Sequence, residues 1–262
     1  MSYAICLIVL EPNEVYLDFL ATFTSYDIYI IIDSKKNQTA ITTKEKYKAL
    51  NFVQLSEEQC INNGFQNVNY IGVKKLVSGW DKALLVFSVI IPLKYDNVWF
   101  IEDDVFFLKE QVLKNLDTKY PNQDLIANCD FDKTKVTTNK SITNDWLWSN
   151  IDIRIEKPYY AGMMCIVRMS RSLLQSIRWY AATYKTLFFL EALFPTITSH
   201  FSLSYVQPIE LETVTYRDVF FDEESDAFYG DLDRVDTHLF HPIKDLSKHD
   251  ELRDRFISKI VR

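Results

Sequence analysis

Glu102, Asp103 and Asp104 follow one another inside an apolar and aromatic run, NVWFIEDDVFF, which spans Asn97 to Phe107. A run this hydrophobic marks a strand buried on both faces, and charge in such a place needs a partner. Adjacent carboxylates also repel one another. They are stable together only beside a cation, beside hydrogen-bond donors, or at a strand end that water reaches, and a hard divalent cation supplies the missing charge. The chemistry open to such a group is that of a bound metal ion, against the alternative of a strand ending in a solvated acidic turn.

Other residues suited to chemistry are spread along the chain. Asp33 ends an apolar run, where an acid either accepts hydrogen bonds from a ribose or base or forms a turn with Ser34, Lys35 and Lys36. Lys82 falls in the first turn of a helix. A cation opposes the helix dipole there unless an anion such as a diphosphate offsets it; the alternative is a surface lysine beside Asp81. Gly162 marks close backbone approach, either at a bulge or where a ligand needs room. Glu191 stands alone on an apolar helical turn, as a paired structural acid or as a base whose pKa is raised by burial. In THLFHPIKD, His238 and His241 are three apart, so on a strand only one of them faces a given site. Trp146 and Trp148 could stack on a sugar, although a Trp pair flanking a Leu fits core packing better.

The elements that must position these groups follow from periodicity. Tyr3 to Leu10 and Tyr26 to Ile32 are apolar runs on either side of a helical pattern from Pro12 to Phe23, which reads as β-α-β. Short hydrophobic strands alternating with helices imply a parallel sheet covered on both faces, with ligands at the carboxyl ends of the strands. No glycine-rich GxGxxG or P-loop follows the first strand, which disfavours both a dinucleotide site and a Walker site. Asn51 to Leu55 reads as a third strand. Ser56 to Gln59 and Ser78 to Asp81 have capping-box spacing, and the second box opens a helix with Trp80, Ala83, Leu84, Phe87 and Ile90 on one face. Beyond the acids come a helix from Leu108 to Leu116, a strand from Asp124 to Cys129, and a strand from Tyr159 to Met169. Ser170 then caps a helix from Arg171 to Tyr184. An apolar helical segment from Leu187 to Phe194 stops before Pro195. Strands near Ser204 to Gln207 and Thr213 to Phe221, an acidic loop from Asp222 to Asp236 and a tail helix from Glu251 to Val261 complete the chain.

With 262 residues, of which 48% are hydrophobic, the chain can bury a full core as one compact unit. A net charge of -7 argues against sequence-independent binding to nucleic acid. Cys6, Cys60, Cys129 and Cys165 are far apart and show no CxxC spacing, so they read as reduced thiols. No run reaches the length of a membrane span. The start, MSYAICLIVLEP, lacks a basic segment and a cleavage site, so it reads as a first strand in a soluble, cytoplasmic protein.

Four features occur in order: Gly79-Trp80-Asp81-Lys82-Ala83 opening a helix, the Glu102-Asp103-Asp104 triplet, Tyr160-Ala161-Gly162 before the strand that leads to Ser170, and His241-Pro242-Ile243-Lys244. In this combination the sequence resembles the nucleotide-diphospho-sugar glycosyltransferases of the GT-A fold, with the triplet as a DxD-type motif. The resemblance implies a Rossmann-like α/β fold, a mixed and mainly parallel sheet flanked by helices in a single domain over 1–262. Residues 1–107 would form the nucleotide-sugar half and 108–262 the acceptor half. It implies transfer of a sugar from a nucleotide sugar, UDP-sugar favoured, to a hydroxyl on a glycan, protein or small molecule, as in glycan biosynthesis. Asp104 and His241 would hold Mn²⁺ or Mg²⁺, with the imidazole favouring manganese. Glu102, Asp103, Asp33, Lys82, Gly162 and Lys244 would contact the nucleotide sugar, and Trp146 and Trp148 the acceptor. Glu191 would deprotonate the acceptor in an inverting enzyme, or bind a sugar in a retaining one. The triplet begins with Glu where the pattern has Asp, and the longer side chain could change which acid meets the metal. The alternatives are a metal-dependent phosphoesterase or nucleotidyltransferase, and a non-catalytic nucleotide-sugar-binding protein.

Overall fold

The computed structural model describes residues 1–34, 45–70, 76–133, 135–136, 148–215 and 234–260, with the backbone alone at 149 and 257–260. Trp146, most of the 130–150 stretch and the acidic stretch from 222 to 233 lie outside the described residues.

One mixed sheet organises the chain. Its strands are β1 (Tyr3–Val9), β2 (Asp27–Ile32), β3 (Leu50–Val53), β4 (Asn97–Glu102), β5 (Leu125–Asn128), β6 (Met163–Ser170) and β7 (Tyr205–Val206), in the order β3-β2-β1-β4-β6-β5-β7. Only β6 runs against its neighbours. The helices are α1 (Glu14–Ala21), α2 (Glu57–Asn63), α3 (Gly79–Leu85), α4 (Glu110–Lys119), α5 (Arg171–Tyr184), α6 (Leu190–His200) and α7 (Leu246–Ile260). This is the α/β architecture expected, a mainly parallel sheet flanked by helices.

The continuous hydrophobicity of β1 has a direct cause. Ala4, Cys6 and Ile8 belong to one core and Ile5, Leu7 and Val9 to the other, because alternate residues face opposite sides and both sides are covered. A smaller cluster joins Phe106 and Leu108, just after the acids, to Phe240, Ile243, Leu252 and Phe256 around α7. Arg168 of β6 is completely buried, and its two terminal nitrogens donate to Asp117 at 2.9 Å and to the carbonyls of Tyr120 and Gln123, which ties α4 to the sheet. No disulfide joins the four cysteines, all of them buried. Among the described residues no helix is long and apolar enough to cross a membrane.

Local signals placed most ends correctly. Ser56 and Gln59 form the expected capping box, Gly64 ends α2 with φ +82°, and the Ser170 hydroxyl accepts from the N–H of Leu173. Three expectations change. The helix opened by Ser78 passes after Leu85 into a π-helical turn, Val86–Ile90, which leaves Ile90 50% exposed instead of on the apolar face. The tail helix begins at Leu246, earlier than its charged stretch suggested. Pro195 lies inside α6 instead of ending it.

Candidate active site

The register of the sheet gathers the acids at one edge. Ile8 pairs with Glu102 and Val9 with Ile32, so the carboxyl ends of β1, β2 and β4 align, with Asp33 just beyond β2. β4 stops at Glu102, and the N–H of Val105 returns to the Glu102 carbonyl at 3.2 Å to close a turn over Asp103 and Asp104. The charges thus sit where the strand leaves the core.

Within that turn the three acids have different surroundings. Glu102 Oε1 accepts a 2.6 Å hydrogen bond from the indole N–H of Trp80, and burial first, then the charge of Asp104, raises the Glu102 pKa despite it. Asp103 is pushed up to about 6, again by burial and by Asp104. Asp104 Oδ1 is enclosed and lacks a hydrogen-bond partner, and it lies 3.3 Å from Nε2 of His241. One ligand atom each from Glu102, Asp104 and His241 falls within 4.8 Å of the others. Asp103 is outside that group.

The orientation of His241 comes from its other nitrogen. Nδ1 is 2.9 Å from the carbonyl of Thr215, which can only accept, so Nδ1 carries the proton and the Nε2 lone pair faces Asp104. Two lone pairs meeting in this way call for a shared cation or a shared proton. Burial works against the imidazolium, yet Asp104, the Thr215 carbonyl and Glu102 together raise the His241 pKa. Two carboxylates and one imidazole, with an orphaned carboxylate oxygen among them, could hold a divalent cation. His238 stands apart. Its Nδ1 is 2.8 Å from the Thr237 hydroxyl, and its Nε2 is buried without a partner.

Beside these groups opens a cleft of about 200 Å³, lined among others by Asp33, Asn69, Ser78, Trp80 and the three acids. Lys82 is not a surface residue. It is 3% exposed, and its Nζ lies 2.6 Å from Asp33 Oδ1 and 3.1 Å from the Asp33 carbonyl. The structure therefore couples two residues that the sequence left as separate candidates. Asp81 accepts from the N–H and hydroxyl of Ser78 and from the N–H of Val68, and burial pushes its pKa up to about 7. Lys244 is exposed on the segment that carries His241.

Glu191 and Gly162 prove to be linked through Pro195. A proline lacks the N–H that would bond the carbonyl four residues back, and here that carbonyl belongs to Glu191. The N–H of Gly162 fills the place at 3.0 Å, while the buried Thr196 hydroxyl accepts from the N–H of Tyr160 at 3.0 Å. The first turns of α6 are thus fastened to the segment entering β6. Glu191 Oε2 is enclosed without a partner, and burial, followed by the charge of Glu102, pushes its pKa up to about 8.

Gly162 is required for close approach: a Cβ there would meet Cys129 Cβ at 2.6 Å and the Asn128 carbonyl at 2.8 Å, beside the irregular register of β5 and β6. Gly162→Ala is expected to cost about 1–3 kcal/mol through overpacking. Urea unfolding of the variant against the parent checks this. Trp148 is half-buried, packs against the core and stacks on Tyr159 with ring centroids 6.2 Å apart.

Sequence reasoning missed Trp80 as a partner of Glu102, because a tryptophan on an apolar helical face reads as core. It also assigned Glu102 to sugar or ribose alone. The signal for its place in the cluster was the Glu at the start of the triplet, whose longer side chain reaches the neighbouring ligands.

No protein-family model matches the chain, and no curated protein matches it. Solved structures with a similar course of the chain include the apo form of mouse xyloside xylosyltransferase 1, at 10% identity and a TM-score of 0.44, covering 94% of this chain and 99% of that one. Another is 4-diphosphocytidyl-2C-methyl-D-erythritol synthase from Anaerococcus prevotii, at 12% identity and a TM-score of 0.44, covering 79% and 86%. A third is A197 from STIV, at 12% identity and a TM-score of 0.36, covering 79% and 82%. Function has to be read from the site itself.

Proposed function

We propose that this chain is a metal-dependent glycosyltransferase that moves a sugar from a nucleoside-diphosphate sugar, UDP-sugar favoured, to a hydroxyl of a glycan, protein or small molecule. The observation that carries this reading is the convergence of Glu102, Asp104 and His241 within 4.8 Å at the carboxyl edge of the sheet, next to the cleft that holds Asp33. Mn²⁺ or Mg²⁺ held there by Asp104, His241 and Glu102 would supply Lewis-acid stabilisation of charge on a departing diphosphate.

The chain's own residues take the remaining tasks in this reading. Asp33, fixed by Lys82, accepts hydrogen bonds from the ribose or base, and Asp103 contacts the ribose or sugar. Lys244 approaches phosphate as a point charge. Glu191 holds or removes the proton of the acceptor hydroxyl. Gly162 serves the site by fastening Glu191. Residues 1–107 form the nucleotide-sugar half of one domain and 108–262 the acceptor half, with Trp148 and Trp146 on the acceptor side.

Thermal unfolding with UDP- and GDP-sugars, each with and without Mn²⁺, tests the proposal. A true donor at a hundredfold excess over its Kd stabilises the native state by about 2.7 kcal/mol, and only with the metal present. No shift in any condition sinks the proposal. Release of pyrophosphate or free phosphate in place of nucleoside diphosphate would instead indicate a nucleotidyltransferase or phosphoesterase. Metal-dependent binding without turnover over a panel of acceptors would indicate a binding protein.

A further inference from the structure

The metal site proposed above draws its ligands from two distant segments, the turn after β4 and the stretch before α7, which must be held in register. We propose that His249, in the first turns of α7, is the positioning residue that sets this register; the inference rests on the metal-binding reading. His249 is fully buried, and its Nε2 lies 2.9 Å from the carbonyl of Ile243. A carbonyl can only accept, so Nε2 carries the ring proton and donates it. Ile243 donates its own N–H to the carbonyl of Asp104 at 2.8 Å. One side chain therefore holds the carbonyl of Ile243, the residue whose N–H, on the other side of the same Cα, ties the His241 segment to the backbone of Asp104.

The other side of His241 is already stitched, since Phe106 and Phe240 exchange N–H to carbonyl bonds of 2.8 and 2.9 Å. The Ile243 contact is the second stitch, and it depends on His249. The imidazole also packs on the turn itself. It meets Phe106 edge-on at 5.5 Å between ring centroids and Tyr16 at 5.7 Å, and the Tyr16 hydroxyl donates to the Val105 carbonyl at 2.7 Å. One helical turn further on, the guanidinium carbon of Arg253 lies 3.5 Å from the Phe19 ring centroid, which seats α7 by cation–π attraction. His249 is not itself in the ligand cluster. Its influence on a metal passes through the backbone.

The test is Mn²⁺ affinity of the full chain, read from the electron paramagnetic resonance of unbound Mn²⁺, together with Tm, for His249→Gln, His249→Asn and His249→Leu. The Gln amide nitrogen reaches where the ring Nε2 does, the Asn amide falls short, and Leu has no donor. Expected are affinities about tenfold weaker for Asn and Leu, with Gln within about threefold of the parent. A helix that only packs would lower Tm in all three and leave the Mn²⁺ Kd unchanged, which overturns the proposal. If the Leu variant fails to fold, the contrast between Asn and Gln decides. A parent chain that binds no Mn²⁺ overturns the metal-binding reading and this inference together, whereas parent-like binding in every variant overturns the inference alone.

Discussion

Asp104→Asn is expected to weaken Mn²⁺ binding by about a hundredfold or more, since loss of even an outer-shell partner of a metal ligand typically costs about 10- to 100-fold. The apo fold should survive. Asp104 Oδ1 is buried without a hydrogen-bond partner, and Asp104 raises the pKa of both Glu102 and Asp103, so removing its charge relieves repulsion. Calorimetric titration with Mn²⁺ and a urea melt of the apo chain measure the two effects. A variant that unfolds would make Asp104 a structural acid. The histidine offers an independent check. Asp104 leads the groups that lift the His241 pKa against burial, so in the Asn variant an NMR titration should show that pKa falling. The sign for stability follows. A histidine whose folded pKa is raised stabilises the native state below its unfolded pKa, and that contribution is lost as pH rises through the folded value. In the parent apo chain the pair therefore contributes on the acid side, and in Asp104→Asn much of that dependence should vanish.

Glu191→Gln should have the largest effect on turnover. If Glu191 is the base of an inverting transfer, kcat falls by about 10²- to 10⁴-fold with little change in donor binding. In the parent, rate rises with pH towards about 8, where the carboxyl loses its proton, and then levels. Undiminished transfer in the Gln variant, with unchanged product stereochemistry, would remove Glu191 from that role. Stability reports on the same group with opposite sign. The folded pKa of about 8 lies above the ordinary value of 4.5, so between those values the native state keeps a proton that the unfolded chain has released. Stability therefore drops across that window as pH rises, by an amount on the order of a few kcal/mol at about 1.4 kcal/mol per pKa unit. The Gln variant should lose this slope and exceed the parent in stability at alkaline pH, as urea melts at the two ends of the window will show.

The parts of this site that were legible in the chain are those governed by near neighbours. An apolar run that ends in three acids announces a buried strand and a charge problem, because an unpaired carboxylate is costly to bury in any fold. The capping residues Ser56 and Ser170 were readable because their bonds span three residues. Pro195 shows the limit of such reading. As a local signal it stops a helix, but Gly162, from another element, supplies the missing donor and the helix continues. Likewise the spacing of His238 and His241 showed that only one could face a site, and the contacts of His241 with Thr215 and Asp104 chose which.

The sequence by itself determined the α/β class, the order of most of the described strands and helices, and three carboxylates at the end of a strand, since hydrophobic period and adjacency act along the chain. Only the tertiary structure decided that Glu102 and Asp104, but not Asp103, converge with His241, that Lys82 is tied to Asp33, and that Trp80 donates to Glu102. Those pairings join residues distant in sequence. They depend on which strands lie side by side and in what register, and neither composition nor spacing encodes that directly.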